Sequence, residues 1–175
     1  MKPQGRALIL ISTALFCAFP LVPQQTREQA VNGMRKVSPS EMDPTYTQPA
    51  AFAQQLVNQA LAMHPEVILM AIHAQPPGHG NLIVASNFGR VGKKGDEDDM
   101  RCIRTGKPNL EVNGPHFEDE LALKDKSGRT IGALGVVFNY KPGDDKQKLV
   151  AIAEEIGREM QRQLPDASRL FGAGN

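Results

Sequence analysis

The chain has no tryptophan, two cysteines and no second apolar run long enough to span a bilayer. Cys17 falls in a stretch that looks like a targeting segment, so Cys102 remains alone and has no internal partner for a disulfide. A lone thiol in an oxidising compartment is expected to be buried. No basic run occurs. Removing Lys2 and Arg6 with the first residues takes lysine plus arginine from 20 to 18 against 19 acidic residues, which turns a net +1 into −1. That balance argues against nucleic acid as a partner. No Cys-x-x-Cys-His site and no pair of histidines at helical ligand spacing is present, so neither metal nor another cofactor is expected. Gly89 to Gly95 lacks the Gly-Lys-Ser/Thr ending of a phosphate loop, and nothing resembles an activated-nucleophile elbow. The sequence therefore reads as a non-enzyme.

What is present begins with an export signal. Lys2 and Arg6 precede an uncharged, mostly apolar stretch from Ala7 to Phe19, too short to span a bilayer comfortably. Residues 1–24 are expected to be a signal peptide, cleaved between Ala18 and Ala30, with an uncleaved N-terminal anchor as the membrane-tethered variant. The expected location is periplasmic or secreted. Residues 25–48, rich in Pro, Gln, Ser and Thr, are expected to be a flexible linker. Residues 49–164 form the domain and 165–175 a tail.

Within the domain, Phe52, Ala53, Leu56, Val57, Ala60 and Leu61 mark one face of a long first helix, closed by Pro65. Val67–His73 and Leu82–Ala85 read as strands joined by a Pro-Pro-Gly-His-Gly turn. Asp96 to Asp99 place acidic residues in the first turn of a short helix that Gly106 ends, where they favour the helix dipole. Asn109–Val112, Phe117–Lys124 and Ile131–Tyr140 are three further strands, the last two joined through Asp125-Lys126-Ser127-Gly128. Leu149, Ile152, Ala153, Ile156, Met160 and Leu164 form the apolar stripe of a final helix. The fold class is α+β, a five-stranded antiparallel sheet with helices packed on one side.

This order resembles the PAS-like fold, and the stretch Leu123 to Val136 resembles the hairpin of the Cache family of extracytoplasmic sensors, with its Asp125, turn Gly128 and Ile131-Gly132 pair. Asp96 to Gly106 resembles the connecting helix of related sensors. The resemblance covers about residues 49–164. It implies a small-molecule ligand, such as an organic acid, between sheet and helical layer. The aromatic- and arginine-rich amino-acid signature of the family is missing.

Arg90 and Lys93 lie in the loop that would wall such a cavity, and Arg90 suits a carboxylate because its fork donates two parallel hydrogen bonds. With Ser86, Asn87, His73 and His116 they make the expected ligand-binding set. Gly132 and Gly135 leave gaps in a strand that otherwise wants bulk, either for close packing or for a ligand. The competing reading is a protein-protein interaction domain with a filled core.

Overall fold

The computed structural model describes residues 26–172; the expected signal segment and Cys17 lie outside them. The elements are α1 (Arg27–Gly33), α2 (Ala51–Met63), β1 (Val67–Ala74), β2 (Leu82–Ser86), α3 (Glu97–Thr105), β3 (Asn109–Asn113), β4 (His116–Lys124), β5 (Thr130–Asn139) and α4 (Lys146–Gln161). Short 3₁₀ turns occupy Pro39–Glu41 and Ala167–Phe171. The strands form one antiparallel sheet in the order β2-β1-β5-β4-β3. This is the α+β arrangement expected, a five-stranded antiparallel sheet with helices, and every strand lies within two residues of its expected bounds.

The apolar run of β1 and the long β5 occupy the middle of the sheet, buried on both faces. One face carries Met70, Ile72, Leu134, Val136 and Phe138, with Phe117 and Leu123 from β4. Against it pack Leu56, Val57 and Ala60 of α2 and Ile156 and Met160 of α4. Each large side chain so buried contributes roughly 1.5 to 3 kcal/mol. The other face is covered differently. There Ala30 of α1 packs on Ile68 and Leu69, with Phe88 and Val137 beside them, and Cys102 of α3 is buried against β4. Helices thus flank both faces, not one, because the sheet's centre is apolar on both sides.

Residues from the expected linker and from the expected tail pack against the body. The presumptive linker supplies α1, begun by a capping box between Thr26 and Gln29. Its Arg27 guanidinium donates to the carbonyl oxygens of Val67 (2.9 Å), Leu61 (2.7 Å) and His64 (3.2 Å), which fastens α1 to the end of α2 and the start of β1. The tail buries Leu170 and lays Arg169 over the Phe52 ring at 3.8 Å. No described helix is long and apolar enough to cross a membrane.

The β4–β5 hairpin closes as its sequence implies. Asp125 accepts from the backbone N–H groups of Ser127 (2.9 Å) and Arg129 (3.1 Å), and Gly128 takes a φ of +84°. Lys126 N–H then donates to Leu164 O at 2.7 Å, tying this turn to the end of α4.

Candidate ligand-binding cleft

Between the sheet and the layer of α1, α3 and the β2–α3 loop lies a cleft of about 760 Å³. Alternation along the strands decides its floor. Leu69, Ala71 and His73 of β1, Gly135 and Val137 of β5, and His116, Glu118 and Glu120 of β4 all point to this side. Ala30, Met34 and Arg35 wall one end, and Asp96, Asp98 and Asp99 another. At Gly135 an added Cβ would meet only Glu118 Oε1, at 3.6 Å, so this glycine opens the floor. Gly132 is the close-packing case: a Cβ there would lie 2.2 Å from His73 O.

Helix α3 places the acidic wall. Asp96 caps the helix by accepting from Asp98 N–H (3.2 Å) and Asp99 N–H (3.3 Å), and Asp99 Oδ2 accepts from Asp96 N–H at 2.7 Å. The other oxygen, Asp99 Oδ1, lies 3.0 Å from His73 Nδ1. Burial opposes ionisation of Asp99, but hydrogen bonds from His73 and Glu120 outweigh it and hold the carboxyl below its ordinary range. Glu120 is driven the other way, up, by burial first and then by its hydrogen bond to Asp99 and the charges of Asp99 and Glu118. The two carboxyls are thus driven in opposite directions, with Asp99 the more acidic of the pair. Glu118 is also raised, by burial and by Glu111. The Cys102 thiol is pushed up to about 12, chiefly by burial, so it stays protonated.

The six expected site residues fall into two groups. Arg90, Lys93, His73 and His116 line the cleft. Ser86 and Asn87 do not. Asn87 bridges the start of the sheet, accepting from Met70 N–H (2.8 Å) and donating to Ile68 O (2.9 Å). Ser86 is buried at the end of β2, where its backbone N–H donates to Gln54 Oε1 of α2.

The cations at the rim are already engaged within the chain. Arg90 donates to Arg35 O and lies 5.8 Å from the Phe88 ring centre. Arg35 forms a two-pronged pair with Glu41, at 2.7 and 3.0 Å. Lys93 Nζ is 3.3 Å from Asp96. Lys94 turns away to Ser40 O. The N–H groups of Asp98 and Asp99 in the first turn of α3 are taken by the Asp96 side chain.

Glu111, Glu118, Glu120 and Asp99 were not legible as site residues. The available signal was Glu118-Asp119-Glu120 within an interior strand: at period two, the outer pair must share one face.

No family model and no curated protein matches this chain. Among solved structures, a protein described as a GAF sensor from Burkholderia vietnamiensis is 14% identical over 81% of this chain and 88% of its own, with a TM-score of 0.48. A structure titled simply as the GAF domain is 10% identical over 66% of this chain and 78% of its own, at a TM-score of 0.47. A GAF domain of A. aeolicus in an inactive state is 14% identical over 83% of this chain and 90% of its own, at a TM-score of 0.45.

Proposed function

We propose that this chain is a sensor-like module that binds a small molecule in the cleft. The carrying observation is the cleft itself, floored by Gly135 and lined by polar side chains where a side chain could have filled it. Its volume lies in the range of small-molecule sites. An interaction domain would instead present a wide apolar surface. The large hydrophobics that stand exposed among the described residues are Met63, Leu110 and Val112. Binding is favoured over catalysis because the cleft pairs no nucleophile with His73 and Asp99, and the Cys102 thiol stays protonated.

The test uses Gly135→Val. Valine suits a strand, and its Cβ at this position would meet only Glu118 Oε1, so the branched side chain occupies cleft space. A ligand found by screening metabolites for thermal stabilisation should add about 2.7 kcal/mol at 100 times its dissociation constant. Gly135→Val should abolish that gain while leaving the unliganded protein about as stable. Equal stabilisation of variant and parent would place the ligand elsewhere.

An acidic ligand, the finer expectation, would be met by Arg90 and Lys93 at the rim after displacing Arg35 O and Asp96. A location outside the cytoplasm is proposed from Lys2, Arg6 and the apolar stretch behind them. N-terminal sequencing of protein recovered from the source cells should then read a start between Ala18 and Ala30. An intact Met1 on soluble cytoplasmic protein would overturn it.

A further inference from the structure

We propose that the floor of the cleft binds the positively charged end of its ligand, an organic ammonium or guanidinium group, held by Glu118 and Glu120. This rests on the reading of the cleft as a small-molecule site and names the chemistry of its deep end.

Two observations carry it. The first is the state of the charged groups that line the cleft. Its arginines and lysine have close partners inside the chain, whereas no ion pair reaches Glu118 or Glu120 among the described residues, and Arg90 acts on Glu118 only at longer range. Arg35 is paired with Glu41, Arg90 donates to Arg35 O, and Lys93 faces Asp96. Asp98 is likewise matched, by Arg101 at 2.7 Å. Glu118 and Glu120 line the cleft from one strand, with backbone positions about 7 Å apart along it. Two histidines share the floor, His73 and His116, and His73 is directed at Asp99.

The second observation is an orphaned oxygen. Glu120 is 7% exposed, and its Oε1 is buried with no hydrogen-bond partner although it borders a polar cleft. A buried acceptor left unsatisfied destabilises the site. Its position asks for a donor from the ligand. Oε1 is the carboxyl oxygen of Glu120 that no group of the described residues satisfies. An ammonium or guanidinium group supplies several donors and the charge that Glu118 lacks. A carboxylate brought to the same oxygens would meet an acceptor at Glu120 Oε1 and the like charge of Glu118.

The experiment is an amide NMR titration of the full chain with four probes of similar size: ethylammonium, guanidinium, ethanol and acetate. Ethylammonium and guanidinium should shift the amides of residues 118–120 and 135 saturably, and ethanol should not. Glu118→Gln with Glu120→Gln should weaken that response at least tenfold. The single Glu118→Gln, at the less buried of the two sites, should weaken it at least threefold and covers the case in which the double variant misfolds. If acetate shifts amides at Arg90 and Lys93 while neither cation touches the floor, the cleft is a ligand site but the charge assignment is wrong. If no probe shifts any cleft amide, both readings fall. A response that survives the Gln variants, or one that ethanol matches, also overturns the assignment.

Discussion

Near pH 8 the Asp119→Asn variant is expected to be about 4 kcal/mol more stable than the parent chain, and the two should become equal below about pH 4. Asp119 lies between Glu118 and Glu120, but its side chain points to the opposite face, under α4. It is 1% exposed, and its Oδ1 has no hydrogen-bond partner. Burial, helped by the charge of Glu154, raises its carboxyl to about 7. In the unfolded chain the same group titrates near the ordinary aspartate value of 3.8. The sign follows directly. Below the unfolded value the carboxyl is protonated in both states and ionisation has no effect on stability. Between the two values the unfolded chain loses the proton while the folded chain keeps it, so stability falls as pH rises. Above about 7 the penalty is complete. Asparagine has nearly the same shape and leaves a comparable unpaired polar group, so that cost cancels and only the ionisation penalty is removed. Urea unfolding of both proteins from pH 4 to pH 8.5 measures this. Parallel stability curves across that range would show that Asp119 is not held protonated by the fold.

The central elements of this architecture were legible because their signals are local. The apolar run of β1, the turn chemistry of Asp125 to Gly128 and the acidic first turn of α3 each state their structure within a few residues. The layers above the second face were not legible, because they depend on distant groups. Helix α1 has seven residues and buries a single alanine; it is held by Arg27 reaching carbonyl oxygens 34 to 40 positions away. Composition alone reads that stretch as linker. The site shows the same division. Arg90 and Lys93 were identified by residue type and loop position, and both do line the cleft. That Arg90 is engaged by a carbonyl 55 residues earlier is a tertiary fact with no local trace. The acidic floor was hidden in plain sight, since Glu118 and Glu120 declare their shared face only once β4 is known to be an interior strand of the sheet.

Gly132→Ala is expected to lower stability by about 3 kcal/mol or more, whereas Gly135→Ala, three residues along the same strand, should cost under about 1 kcal/mol. Both glycines stand in β5, both are buried, and neither has a positive φ, so backbone conformation does not separate them. Their surroundings do. A methyl group at Gly132 would lie 2.2 Å from His73 O, 3.4 Å from its carbonyl carbon and 3.5 Å from Ala74 Cβ. Those atoms belong to β1, which is hydrogen-bonded to β5 on one side and to β2 on the other, so relief requires moving a central strand. At Gly135 the nearest atom is the end of the Glu118 side chain, at an ordinary contact distance. For a chain of this length, 3 kcal/mol corresponds to a fall in Tm of roughly 6 to 12 °C. The displaced carbonyl is that of His73, whose ring stands 3.0 Å from Asp99 at the cleft wall. Gly132→Ala should therefore also disturb this pair, shifting the His73 ring resonances in NMR, while Gly135→Ala leaves them in place. Equal stability of the two variants, with unchanged His73 signals in both, would mean that β1 and β5 are not packed as closely at Gly132 as described.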